Sequence, residues 1–359
     1  MKSPTVFDCF CGLGGLSLGA ELAGFEIIGG IDADEAAIEV YSKTFPGKHA
    51  LHHDLLKERP RDVLRKAGIS KGDVNVLVGG PPCQPYSINN HSRGTHDARC
   101  KLVDRYLDFV SDLQPQWLLM ENVPGFASIE SGRFFSQLIR SLRARRYVVS
   151  FLVVQAAHFG VPQQRRRLAI IAGKTRDKVR TIIQELALRR GRTVTVGEAF
   201  GDLPVAPAAR ASYTGEPANM FQQFMRRRQT ENAQCHLASN LGERNLLRIR
   251  HVPPGGNWRD IPRKLLPAGM KRARLCDHTT RYGRLRADRP AFTLLTKCDP
   301  HWGCFVHPQQ DRVITVREAA RLQSIPDCVE FTKPLTTNYR MIGNAVPPLL
   351  AKGILEYLK

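Results

Sequence analysis

Thr5-Val6-Phe7-Asp8-Cys9-Phe10-Cys11-Gly12-Leu13-Gly14-Gly15 is the stretch on which the fold class turns. Thr5–Phe10 is a short apolar run interrupted by one acid, the pattern of a buried strand. Three glycines within the next five residues make a tight turn of a kind that Cβ-bearing residues disfavour, and an apolar helix pattern follows. The same unit recurs downstream. Phe25–Ile31 reads as a second strand closing at Asp32, with a helix from Glu35 to about Phe45. A weaker strand ends near Asp54. Val74–Val78 runs into Gly79-Gly80-Pro81-Pro82-Cys83, and Trp117–Met120 runs into Glu121-Asn122. Val148–Val154 and Leu168–Ala172 close the series, separated by Gly160-Val161-Pro162 and Arg165-Arg166-Arg167. Strands alternating with helical stretches predict an α/β fold on a parallel sheet.

In an open sheet of this kind, ligands bind beyond the carboxyl ends of the strands. That rule gathers Asp8, Phe10, the glycine turn, Asp32, Asp54, Cys83, Glu121, Arg165 and Arg167 around one crevice. A glycine turn lets a cofactor approach the backbone, and an acid closing the second strand is placed to hold ribose hydroxyls. The dinucleotide pattern G-x-G-x-x-G is out of register, because Ser17 stands where its third glycine belongs. No G-x-x-x-x-G-K-[ST] is present either. A nucleoside cofactor without a cradled pyrophosphate fits better than NAD or ATP.

The 359 residues exceed one ordinary domain, and two packed units are expected. From about Arg192 to Arg286 the periodic pattern fades into Pro, Gly and Arg, which reads as a smaller, loop-rich second unit. A helix is expected again over Thr315–Gln323 and another after Pro347. Net charge is +20, and 17 basic against 6 acidic residues between Arg210 and Arg289 supply more than half of it. A basic block on a milder chain points to a polyanion such as nucleic acid. Trp258 within it suits core packing and groove contact equally. No apolar run reaches the ~18 residues that span a bilayer, and a soluble intracellular protein is expected. Nine cysteines without a secretory signal imply reduced thiols. Cys298, His301, Cys304 and His307 are spaced by three, but Pro300, Gly303 and Pro308 break any shared helical face, and no metal is expected.

Six motifs together carry a family resemblance. Phe7 to Gly15 resembles the cofactor motif of the cytosine-C5 DNA methyltransferases, and Gly80-Pro81-Pro82-Cys83-Gln84-Pro85-Tyr86-Ser87 their nucleophile loop. Glu121-Asn122-Val123 resembles their acid motif, and Gln163-Gln164-Arg165-Arg166-Arg167 their Q-x-R-x-R. Arg289-Pro290-Ala291-Phe292-Thr293 and Ile342-Gly343-Asn344-Ala345-Val346-Pro347 resemble their two C-terminal motifs. The matches keep family order from residue 6 to residue 348, interrupted only in the basic block. Cys9 and Cys11 stand for the usual Leu and Ala, Asp32 for the common Glu, and Tyr86 for Phe; none of these removes a group the reaction needs.

The resemblance implies a Rossmann-like S-adenosylmethionine-dependent methyltransferase sheet with a smaller target-recognition domain. Residues 1–190 would form the catalytic and cofactor-binding domain, 191–288 the DNA-reading domain, and 289–359 a return segment completing the first. It implies Cys83 as nucleophile, Glu121 as the acid near N3 of cytosine, and Arg165 and Arg167 jointly offsetting negative charge on the ring. Asp8, Phe10, Gly12, Gly14, Gly15, Asp32, Asp54, Pro82 and Asn344 would hold S-adenosyl-L-methionine, leaving S-adenosyl-L-homocysteine as product. Gln84, Ser87 and Asn122 would touch substrate. A cytosine inside a duplex must be flipped out to be reached. The implied partner is double-stranded DNA, bound by a cytoplasmic monomer, with a cognate restriction endonuclease encoded nearby. Two alternatives are a tRNA cytosine-C5 methyltransferase and an inactive DNA-binding relative. The RNA branch carries Cys-Phe-Thr in its recognition region, and the nearest match here, Cys304-Phe305-Val306 running into His307-Pro308, stands in a different context; loss of Cys83, Glu121 or the arginines would have marked the inactive form.

Overall fold

A computed structural model describes residues 3–82, 101–228 and 231–359. The first part alternates strand and helix: β1 Thr5–Cys9, α1 Gly15–Leu22, β2 Glu26–Asp32, α2 Glu35–Thr44, β3 His49–His52, α3 Pro60–Lys66, β4 Val76–Gly79, α4 Lys101–Leu113, β5 Trp117–Asn122, α5 Arg133–Ala144 and β6 Val148–Gln155. It continues through β7 Gln163–Gln164, β8 Arg166–Gly173 and α6 Arg176–Leu188. Seven strands form one sheet in the order β3-β2-β1-β4-β5-β8-β6. The order reverses between β1 and β4, so the glycine turn and the Gly-Gly-Pro-Pro turn leave the sheet at its switch point, where such sheets bind ligands.

Strand periodicity explains what each face carries. Phe7 and Cys9 of β1 enter a core shared with Val63, Leu102, Phe109 and Leu138 of α3, α4 and α5. Asp8, between them, points the other way, toward α1. There α1 is packed closely by the last helix of the chain. A Cβ at Gly19 would lie 2.3 Å from that of Ala351, and one at Gly15 would lie 2.1 Å from the Val346 carbonyl oxygen. Glycine is therefore required at both positions by close approach.

The sheet is not wholly parallel, contrary to the expectation from alternation. β8 runs antiparallel to both β5 and β6. Only a short link separates β6 from β8, too few residues for the helical crossover that a parallel neighbour needs. This reversal sets the N-terminal end of β8 beside the C-terminal end of β5, pairing Glu121 with Ala169 and Asn122 with Leu168.

By internal packing, 1–159, 166–190 and 346–359 make one unit, and 160–165 with 191–345 make the other. The second contains α7 Val196–Phe200, β9 Ala208–Ser212, α8 Met220–Met225, β10 Asn232–His236, α9 Glu243–Arg250, β11 Gly283–Arg284, β12 Ala291–Phe292, β13 Cys304–Val306, α10 Val316–Leu322 and α11 Leu335–Asn344. The chain ends in the first unit with α12 Pro348–Leu355. The sheet elements of the second unit are two-stranded, β9 with β10, β11 with β13, and β12 with β7. Its return to the first unit comes at 346, not at 289 as expected. β12 pairs with β7, and Gln163 and Arg165 are bonded to the backbone of 294, 322, 343 and 345, which keeps this segment in the second unit. Trp258 belongs to a core of that unit with Ile249, Val252 and Tyr282, and its Nε1 donates to the Asp277 carbonyl at 3.1 Å.

Candidate active site

The glycine turn is built from backbone geometry that most residues avoid. Phe10 has φ 63°, Gly12 53° and Gly14 96°. A non-glycine residue in the left-handed region costs about 1–3 kcal/mol, and such residues collect at functional sites. Phe10 is half-buried, resting one side on the α3–α5 core. A Cβ at Gly12 would meet nothing within 4 Å, whereas one at Gly14 would strike Phe45 at 2.6 Å. The backbone at Gly12 is therefore open to close approach.

Asp32 fixes this turn instead of standing free beside it. Its Oδ2 accepts from the Gly12 amide at 2.8 Å and its Oδ1 from the Asp34 amide at 2.9 Å. Burial raises its pKa above the ordinary carboxylate value, opposed by those two amides. Each oxygen keeps a second lone pair with which to accept a hydroxyl.

Asp8 has a different job from the one its motif implied. It is fully buried; its Oδ2 accepts from the Ser17 hydroxyl at 2.8 Å and from the Ser17 amide at 3.2 Å. Its Oδ1 is buried without a hydrogen-bond partner. Burial pushes its carboxyl up to about 7 in spite of the Ser17 bonds. Asp8 seats α1, and no ligand surface reaches it. Asp54 follows β3 in a turn, its Oδ1 accepting from the Leu56 amide at 3.0 Å, with Lys57 at 3.6 Å from Oδ2.

At the end of β5 the reversed β8 delivers its arginine. Arg167 Nε lies 2.7 Å from Glu121 Oε1, and the two side chains are 11% and 13% exposed. The N–H is not aimed along that line, so the contact is an ion pair and Oε1 keeps no aligned donor. Leu16, Leu119, Val154 and Val346 wall the hollow in which the pair sits. A Cβ at Gly80 would lie 3.6 Å from Glu121 Oε2, so the acid faces the turn that leads toward Cys83. Asn122, expected at the substrate, is buried instead. Its Nδ2 donates to the Pro81 carbonyl at 3.2 Å and its Oδ1 accepts from the Val123 amide at 2.9 Å, which pins that same turn. Pro82 is half-buried at the last described position of the turn. Cys83, Gln84 and Ser87 lie outside the described residues.

The two arginines expected to act jointly are split. Arg165 is buried in the second unit, donating to the carbonyls of Gly343 at 2.9 Å and of Leu294 and Ala345 at 3.2 Å. Gln163 beside it donates to the Leu322 carbonyl and to Gln323 Oε1, both at 3.0 Å, and accepts from the Leu294 amide at 3.0 Å. Gln323 in turn donates to the carbonyls of Ile342 at 2.7 Å and Ala345 at 3.2 Å. This network fixes the end of α11, where Asn344 is exposed. Gln323 gave no signal in the sequence, where it reads only as the last residue of an expected helix. Among the described residues no cluster of three or more His, Cys, Asp or Glu is arranged to hold a metal ion.

The family model for C-5 cytosine-specific DNA methylases matches residues 5–359. The chain is 32% identical to the Type II methylase M.HgiDII of Herpetosiphon aurantiacus, over 99% of this chain and 94% of that protein. It is 30% identical to the Type II methyltransferase M.AgeI of Thalassovita gelatinovora, over 98% of each. Among solved structures it is similar to a DNA modification methyltransferase encoded within an E. coli prophage, with TM-score 0.78 and 24% identity, covering 99% of this chain and 98% of that one. That likeness bears on the fold, a Rossmann-like methyltransferase sheet. The chain belongs to the C-5 cytosine-specific DNA methylase family, and its enzyme class is that of a DNA cytosine-5 methyltransferase.

Proposed function

We propose that this chain methylates C5 of a flipped-out cytosine in a specific duplex DNA sequence through a covalent bond from Cys83. The observation that carries the reading is the Glu121–Arg167 pair, set at the carboxyl end of β5 and facing the Gly80 turn. The family's reaction depends on S-adenosylmethionine, which when bound supplies an electrophilic methyl group. Phe10 would face its adenine, Asp32 its ribose hydroxyls, and the open backbone at Gly12 its approach.

Cytosine C5 is too weak a nucleophile to be methylated directly. The Cys83 thiolate adds to C6, and the ring electrons displaced from the C5–C6 double bond make C5 the attacking carbon. Glu121, protonated or sharing a proton with N3, offsets the charge that accumulates on the ring, and Arg167 stabilises it from the same end of the sheet. After methylation the C5 proton leaves to a base or to water, and the electrons of the C5–H bond restore the double bond as the Cys83 sulfur departs. The balance is one methyl gained and one proton lost at C5, with the thiolate regenerated.

The bacterial relatives are named as Type II methylases, which supports a modification role; a cognate restriction endonuclease as genetic partner and a monomer acting on DNA in the cytoplasm belong to the same proposal. Among the described residues no helix is long and apolar enough to cross a membrane. The test is a target duplex carrying 5-fluorocytosine, whose fluorine cannot leave as the proton does. A stable adduct on the Cys83 peptide is expected by mass spectrometry, and its loss in Cys83→Ser while cofactor binding survives. An adduct on another peptide, or normal turnover by Cys83→Ser, refutes the mechanism.

A further inference from the structure

The basic stretch of the second unit spends much of its charge internally. Arg284 is buried and donates to the carbonyls of Ile249, Val252, His307 and Gln310. Arg274 is paired with Asp277, Arg286 with Asp288, and Arg250 with Asp311. Arg284 is thereby withdrawn from the surface, while the three paired arginines stay exposed.

One groove of about 550 Å³ opens in this unit. Its polar lining includes Ser239, Asn240, Asn245, Thr296, Lys297 and Thr337, with one carboxylate, Asp299, among them. Hydroxyls, amides and an ammonium are the groups that solvate phosphate oxygens. At the rim, the wall segment 296–300 turns sharply: Asp299 Oδ1 accepts from the His301 amide at 2.8 Å, and its carbonyl accepts from the Trp302 amide at 2.9 Å. The turn raises Trp302, which is 48% exposed, whereas Trp258 in the same unit is 3% exposed.

The Arg281 guanidinium carbon lies 5.2 Å from the centre of the Trp302 ring. His301 packs edge-on against Trp302 at 5.2 Å and against Tyr282 at 5.9 Å. The Tyr282 hydroxyl donates to Asn245 Oδ1 at 3.2 Å, which ties this cluster to the groove wall. Tyr282 and His278, on either side of Arg281, hold left-handed φ angles of 53° and 52°. A guanidinium over an indole keeps its in-plane N–H edge directed outward, the geometry that matches O6 and N7 of guanine in the major groove.

We propose that this groove seats the DNA backbone and that Arg281, stacked on Trp302 at its rim, is a specificity-determining residue that reads a guanine in the target sequence. The assignment rests on the duplex-DNA reading above and adds to it the place and chemistry of recognition. Lys297 contributes phosphate affinity and Arg281 base discrimination, so their losses separate experimentally.

A random-sequence duplex pool methylated by wild type, Arg281→Ala, Arg281→Lys, Trp302→Ala and Lys297→Gln, then read by bisulfite sequencing, tests this. Arg281→Ala and Arg281→Lys should each relax one guanine position of the wild-type motif, with kcat/KM falling about 5- to 150-fold. Trp302→Ala should relax the same position, because the fork loses its support. Lys297→Gln should keep the motif and reduce the log–log salt slope of DNA binding by about 0.9. Circular dichroism melts matching wild type exclude unfolding as the cause. An unchanged motif in both Arg281 variants overturns the base assignment, and an unchanged salt slope in Lys297→Gln overturns the groove. A wild-type pool without methylated cytosine overturns the duplex reading itself.

Discussion

Replacing Asp8 by asparagine should stabilise the protein at alkaline pH and progressively less as the pH falls. The native structure keeps this carboxyl fully buried, with Oδ1 lacking any partner, and raises its pKa from 3.8 to about 7. Asp32, Cys9, Cys11, Tyr41 and Tyr106 are its titratable neighbours, so no cation among them favours the ionised form. A displacement of that size corresponds to about 4 kcal/mol. Between about pH 4 and pH 7 the native state binds more protons than the unfolded chain, so Asp8 withdraws stability as the pH rises and its effect levels off above about 7. An asparagine oxygen can still accept both Ser17 bonds, and its amide carries no charge to desolvate. Equilibrium urea unfolding at pH 5, 6, 7 and 8, followed by circular dichroism, gives the variant's advantage at each pH. About 2.5 kcal/mol of it should develop between pH 5 and pH 8. The reasoning is refuted if the difference is independent of pH, or if the variant is the less stable at pH 8, since either means that the ionised carboxylate is well accommodated.

Arg167→Ala leaves Glu121 in an apolar hollow without its cation, and should cost about 3–5 kcal/mol in addition to turnover. Thermal melts should show Arg167→Ala well below Arg167→Ala/Glu121→Gln, in which no charge is stranded; equal melting temperatures would mean that the pair is solvated. Gly15→Ala places a methyl 2.1 Å from the Val346 carbonyl oxygen, and should lower stability by more than about 2 kcal/mol because the obstacle is backbone. Gly12→Ala meets only the strain of its φ of 53° and should cost about 1 kcal/mol in the same urea titration. The reverse order of the two would show that α12 yields.

What the sequence made legible was periodicity and short-range chemistry. The strands of the first unit and the two late helices follow from apolar spacing, and β1 and β4 announce themselves by their glycines. What it hid depends on direction and reach. Nothing in Leu168–Ala172 tells whether the strand runs parallel or antiparallel, yet that decides why Arg167, and not Arg165, meets Glu121. Neighbouring arginines of one motif part company because the chain crosses between units at 165/166. Asp8 lies in a cofactor motif, but strand alternation turns it to the face that α1 covers. Asn122 and Gln323 are ordinary polar residues until the carbonyls they hold are known. The basic block likewise overstates the surface charge available to DNA, since Arg284 is enclosed by four backbone carbonyls.

The seam between Gly19 and Ala351 has a consequence for biosynthesis. The two residues that touch lie far apart along the chain and are made at widely separated times. At about 5–20 residues per second, α1 waits roughly 17 to 66 s for the helix that covers it. Throughout that interval an apolar surface lined by glycine stands bare on the nascent chain, while the whole second unit emerges. Completion of the first unit therefore waits for α12 to emerge, and chaperone occupancy on α1 until the ribosome has passed α12 is the kinetic burden that this topology imposes.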